Sequence, residues 1–178
     1  MKPFSITLSV GILFLSLTSR DCDGVAPNGP GRSESKTSVG LVSSLAHLEF
    51  DKRTGQLVQI KSIDGQDQLL NAAVDKGAVD KGAADKGNLF RIYYGVKELE
   101  DEAIGGGYLD AREFTLKEYR FFSRNNMPAL ELTCAGEKDD ARLEGTLTVV
   151  VVESGAFDLT LDVRNGAETQ QTVMAEFP

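Results

Sequence analysis

The chemistry open to this chain turns on very few side chains. Among 178 residues there is one histidine, His47, and two cysteines, Cys22 and Cys134. Ser–His–Asp or Cys–His catalysis would have to pass through His47, because a nucleophile of that kind needs a neighbouring base that titrates near neutrality. His47 lies in an apolar–polar alternation, in phase with Leu45 and Glu49 and out of phase with Leu48. That pattern reads as a partly exposed strand histidine, and no G-x-S-x-G elbow accompanies it. Cys134 falls in phase with Leu130 and Leu132 and reads as a core residue. A zinc site lacks its ligand set.

Acidic side chains are plentiful but badly spaced. Asp75, Asp80 and Asp85 recur every fifth residue, each followed by a lysine. Calcium loops place oxygens at alternate positions so that they converge on one ion, and a spacing of five does not. Asp64-Gly65-Gln66-Asp67 lacks the bidentate Glu of an EF-hand and reads as a turn. With 27 Asp and Glu in the chain, close carboxylate pairs are inevitable, so none is singled out as a glycosidase pair. Glu98, Glu100, Asp101 and Glu102 read as a solvated charge run. Gly105-Gly106-Gly107 lacks the Lys-Ser/Thr of a phosphate-binding loop and reads as a flexible loop. The expectation is therefore no catalytic residue, no cofactor and no metal.

Binding chemistry fares a little better. Trp is absent and aromatics make up 7% of the chain, which argues against a dedicated, high-affinity carbohydrate-binding module. Tyr93, Tyr94 and Tyr108 are the aromatic candidates for contact with a sugar, set against the plainer reading of core or loop aromatics. A net charge of −8 repels phosphate backbones and excludes nucleic acid as the expected partner.

The N-terminus reads as an export signal over residues 1–22. Lys2 supplies the positive start, and residues 6–17 (ITLSVGILFLSL) form an apolar run of leader length, short for a membrane span. The competing reading is a buried N-terminal helix or an uncleaved anchor. Cys22 stands where a lipoprotein signal places its acylated cysteine, although Ser19-Arg20-Asp21 replace the small residues expected before it. Loss of residues 1–22 takes Lys2, Arg20 and Asp21 away and moves the charge from −8 to −9. It also leaves Cys134 as the one remaining cysteine, with no partner for an internal disulfide. The expected location is exported: periplasmic, cell envelope or secreted, with no transmembrane span in the mature chain.

Residues 23–38 (DGVAPNGPGRSESKTS) are rich in Gly, Pro and Ser and read as a disordered linker. A β domain is expected over 39–178. Strands are expected over 42–50, 56–63, 89–96, 113–123, 129–135, 143–152, 157–164 and 169–177, with turns at Asp51-Lys52-Arg53-Thr54-Gly55, Asp64-Gly65 and 124–128. Phe157, Leu159, Leu161 and Val163 alternate with polar residues, which puts the four on one face. The run Val149-Val150-Val151-Val152 breaks the alternation, as a strand covered on both faces would. Residues 98–103 suggest a short helical turn. Residues 73–87 hold three copies of a five-residue repeat whose glycines discourage helix and strand alike, so they read as an expanded surface loop. Short strands at this spacing argue for an all-β antiparallel β-sandwich.

Leu48-Glu49-Phe50-Asp51, then Thr54-Gly55-Gln56-Leu57 and Ile60, followed by Leu69-Leu70-Asn71 and Asn88-Leu89-Phe90-Arg91-Ile92, resemble the opening hairpin of galactose-mutarotase-like β-sandwich domains. Leu161-Asp162-Val163-Arg164-Asn165 and Val173-Met174-Ala175-Glu176-Phe177-Pro178 are similar to a later strand region of that group. The resemblance implies a supersandwich fold, truncated or incomplete here, since related proteins continue past this point. Such domains precede a (β/α)-barrel in bacterial glycoside hydrolases. It implies a non-catalytic accessory domain that packs against a catalytic barrel or weakly binds carbohydrate. Mutarotases use catalytic His and Glu residues, a set that a lone His47 does not supply. The alternative is a tethered cell-envelope interaction protein with no carbohydrate role, and a third reading is a stand-alone enzyme.

Overall fold

The computed structural model describes residues 5–13, 30–63, 68–71, 89–94, 97–99, 102–104, 107–138, 141–166 and 173–176. Cys22, the repeat loop at 73–87 and the Asp64–Asp67 turn lie outside the described residues.

The described chain is all-β, antiparallel and sandwich-like. One five-stranded sheet is a meander of β2 (Gly31–Glu34), β3 (Ser38–Val42), β4 (Ala46–Asp51), β5 (Leu57–Ser62) and β6 (Gln68–Asn71). The second holds β11 (Thr115–Arg124), β12 (Met127–Lys138), β13 (Ala141–Val151) and β14 (Phe157–Asn165), with β1 (Ser5–Leu13) added at the outer edge of β14. A three-stranded sheet has the order β10 (Gly107–Asp110), β7 (Arg91–Tyr94), β15 (Val173–Glu176). A hairpin of β8 (Lys97–Leu99) and β9 (Glu102–Ile104) completes the set.

Alternation explains the core. Register aligns Leu132, Leu147 and Leu161 across β12, β13 and β14, and aligns Leu130, Val149 and Leu159 in the next row. All six are buried and join Val39, Leu41, Leu48 and Phe50 of the facing sheet in one cluster. Each such side chain contributes about 1.5–3 kcal/mol by leaving water. Of the run Val149–Val152, the first three are buried in β13, as expected of a strand covered on both faces, while Val152 lies past the strand's end and is partly exposed. The third sheet adds Ile92, Tyr94 and Leu109, with Phe90 edge-on to Phe114 at 5.4 Å.

Turn chemistry sets the strand ends. Asp51 Oδ1 accepts from the backbone N–H of Arg53 and Thr54 and from the Thr54 hydroxyl, and Gly55 closes the turn at φ +74°. Asn125 and Asn126, at φ 52° and 63°, make the two-residue hairpin between β11 and β12.

The structure differs from the sequence expectation at several points. The single strand expected over 42–50 is broken, because the Ser43 hydroxyl accepts from the N–H of Leu45 and Ala46 and folds a turn between β3 and β4. The linker expected to reach residue 38 ends earlier: Gly31–Glu34 pairs with β3 as β2. Within the span 98–103 read as a helical turn, Glu98 and Leu99 are strand residues of β8 and Glu102 and Ala103 of β9, paired antiparallel; residues 100 and 101 lie outside the described residues. Residues 5–13, which overlap the apolar run at 6–17, form β1 against β14, so the competing reading of a buried N-terminal helix does not hold there.

Candidate functional site

The aromatic candidates sit on the three-stranded sheet. Its strands run in a register that places Tyr108 opposite Tyr93 and Asp110 opposite Arg91. Period-two geometry then puts Arg91, Tyr93, Tyr108 and Asp110 on one face, while Ile92, Tyr94 and Leu109 turn to the core. Tyr94 is only 6% exposed, and Gly107 packs so closely on its ring that a Cβ there would meet the phenol. It is a core residue and drops out as a sugar contact.

Tyr108 is the exposed member, at 43%. Its ring centroid lies 6.0 Å from that of Tyr93, tilted by 56°. The Arg91 guanidinium stands 4.8 Å from the Tyr108 centroid and the Lys138 ammonium 5.1 Å from it. Cations at this range are attracted to the electron-rich ring face.

An ion-pair frame fixes these groups. Asp110, almost fully buried, accepts from Arg91 Nε at 2.7 Å on Oδ1 and from Arg112 Nη2 at 3.0 Å on Oδ2. Burying a carboxylate is costly unless it is paired, and here two guanidinium groups pair it. The Arg91 guanidinium is held above its already high pKa, first by the bond to Asp110 and then by one to Tyr93. Lys138 Nζ donates to Glu113 Oε1 at 2.8 Å and to the Tyr108 carbonyl at 3.1 Å. Glu113 Oε2 in turn accepts from the Asp110 N–H at 2.9 Å. Burial pushes the Glu113 carboxyl up, but Lys138 and the Asp110 N–H outweigh it and hold the group below its ordinary value. The result is a preorganised surface of one exposed ring, one half-buried ring and fixed charges of both signs.

Sequence reasoning found Tyr93 and Tyr108 but missed Arg91, Asp110, Arg112, Glu113 and Lys138. The period-two placement of Arg91 with Tyr93 and of Tyr108 with Asp110 was visible, but the β7–β10 register that joins the two pairs was not.

His47 stands apart, on β4 in the other half of the fold. Its Nε2 is 3.3 Å from Glu49 Oε1 but is not aligned for a hydrogen bond, and that nitrogen is buried without a partner. Its side chain is 12% exposed, the partly exposed strand histidine that the sequence pattern implied. Desolvation lowers its pKa, with Glu49 opposing and Lys61 assisting. Cys134 is 5% exposed and faces the Thr54 carbonyl at 3.8 Å. Among the described residues no three His, Cys, Asp or Glu side chains gather into a metal-ligating group. No described helix is long and apolar enough to cross a membrane.

No family model matches the chain, and no curated protein resembles it significantly in sequence.

Proposed function

We propose that the chain is a non-catalytic accessory β-sandwich of an exported glycoside-hydrolase-like protein, galactose-mutarotase-like in fold, and that the Tyr93–Tyr108 face is where it touches carbohydrate. One observation carries the reading: an exposed tyrosine ring, preorganised beside a second ring and framed by Arg91, Asp110 and Lys138. Sugar rings pack their C–H faces on aromatic rings and spend their hydroxyls on charged and amide groups at the rim. Arg91 and Lys138 already engage the Tyr108 ring, and Asp110 is committed to two arginines, so the contact is weak and serves to hold a chain near a partner domain. The apolar run at residues 6–17 supports export to where polysaccharide is met.

The test is affinity electrophoresis of the protein through gels cast with a panel of soluble polysaccharides. At least one should retard the wild type and not Tyr108→Ala, with the two unfolding at the same urea concentration. Equal mobility in every gel would remove the carbohydrate role and leave packing against a neighbouring domain.

A further inference from the structure

The outer edge of β14 has an unusual occupant. β1 pairs with it antiparallel, with Ile6 opposite Val163, Leu8 opposite Leu161, Val10 opposite Leu159 and, past a register shift, Leu13 opposite Phe157. The four β14 residues in these pairs are the ones it gives to the core. The segment that covers this edge therefore falls within the apolar run read as an export leader. Cleavage after the leader would strip β14 of its neighbour and open a nine-residue row of backbone donors and acceptors in a long, alternating strand. Such an edge is a template for another strand.

β14 is self-complementary. Laid antiparallel on a second copy about Leu161, it sets Leu161 against the partner's Leu161 and Leu159 against the partner's Val163. On the opposite face Thr160 meets the partner's Asp162, and Asp158 meets the partner's Arg164. The two-fold axis generates each heterologous pair twice, so two Asp–Arg pairs of opposite sign close the outer face. Arg164 is exposed and makes only a loose contact, 3.9 Å, to Glu144, so its guanidinium is free to reach across the new seam. We propose that β14, once residues 5–13 are gone, pairs with β14 of a second copy and joins two second sheets into one continuous sheet across a two-fold dimer. The proposal rests on the export reading, because β1 blocks the edge while it is present.

The experiment separates the two. Intact mass and N-terminal sequencing of protein recovered from the cell envelope and medium establish whether residues 5–13 are lost; their retention would overturn the leader cleavage that opens the edge. The edge is tested independently by light scattering coupled to size exclusion. The full chain should be a monomer. The processed chain, and the full chain carrying Leu8→Pro and Ser9→Pro together, one of which removes a ladder donor from β1 because consecutive N–H groups point to opposite sides of a strand, should be dimers. In either background Arg164→Glu should weaken dimerisation at least tenfold, as should Asp158→Arg, because each sets like charges opposite one another twice. Mixing these two variants should restore a one-to-one dimer, since both 158–164 pairs across the seam then regain opposite signs. Folded chains lacking β1 pairing that stay monomeric, or dimers indifferent to both substitutions, would overturn the proposal. Higher aggregates unchanged by mixing would overturn it too.

Discussion

Gly55 packs directly against Cys134: a Cβ built on the glycine would stand 2.5 Å from the cysteine Sγ. The contact joins the β4–β5 turn of one sheet to β12 of the other, and the Leu116 N–H donating to the Arg53 carbonyl at 3.0 Å lies beside it. The Thr-Gly step that the sequence marks as a turn is thus also a place where the two sheets are pinned together.

Gly55→Ala should destabilise the protein through two separable causes. A positive φ of +74° strains any side chain, by about 1–3 kcal/mol. Overpacking against Sγ adds roughly 1–3 kcal/mol. Cys134→Ala removes the second cause and leaves the first. In a urea double-mutant cycle, Gly55→Ala should therefore cost about 1 kcal/mol less in the Cys134→Ala background. Additive costs would show that the turn yields without pressing on the thiol.

The Cys134 thiol should be inert while the protein is folded. Burial pushes its pKa up to about 11, so almost no thiolate exists at pH 8 and the sulfur is covered. Reaction with a thiol-reactive dye should track the fraction unfolded across a urea titration. The unfolded thiol ionises first, so stability is full below its ordinary pKa and falls as pH rises from about 9 to about 11. The loss amounts to about 2–3 kcal/mol, and Cys134→Ala should make the alkaline slope shallower by that amount, leaving the part due to the paired lysines.

Much of the sandwich is legible in the sequence because its later strands alternate cleanly. The expected strand at 157–164 is β14 within a residue, and the four apolar residues assigned to one face are the buried ones. β1 was concealed by its own apolarity. Ile6-Thr7-Leu8-Ser9-Val10 alternates, but inside a run dense enough to satisfy a leader pattern, where mean hydropathy outweighs period. β2 was concealed by composition, since Gly31-Arg32-Ser33-Glu34 buries little and is held by backbone pairing and by Glu34. The site is less legible than the fold. Asp110 gains its meaning from Arg91, nineteen positions earlier, and only the sheet register brings the two together.

His47 should make the protein acid-sensitive. Desolvation holds its pKa below the ordinary value of 6.5, so its contribution is full above that value and is lost as pH falls through the lower folded value. The groups acting on it are Glu49, which favours the charged ring, and Lys61, which opposes it. Urea midpoints at pH 7.5 and pH 5 should differ more for the wild type than for His47→Gln. Equal differences would mean that the buried ring nitrogen finds a partner on protonation that offsets its desolvation.

β2 should matter more than its four residues suggest, because Glu34 bridges the two sheets. Its Oε1 accepts from Lys52 Nζ at 2.6 Å and from the Tyr119 hydroxyl at 2.7 Å, and the same ammonium stands over the Tyr119 ring at 5.3 Å. Lys52 Nζ also donates to the Ser35 carbonyl, and the Lys52 N–H to that of Thr37. Residues 30–38 thus tie the β4–β5 turn to β11 and cover the edge of β3, whose Val39 and Leu41 are wholly buried. A chain beginning at residue 39 should unfold at lower urea than one beginning at residue 30 and bind more of a dye for apolar surface. Glu34→Ala in the longer chain should lower the midpoint less than removing the whole segment, since it spares the backbone ladder and the cover over β3. If the two chain lengths unfold together, the sandwich is complete from Val39 and β2 is an ornament on its edge.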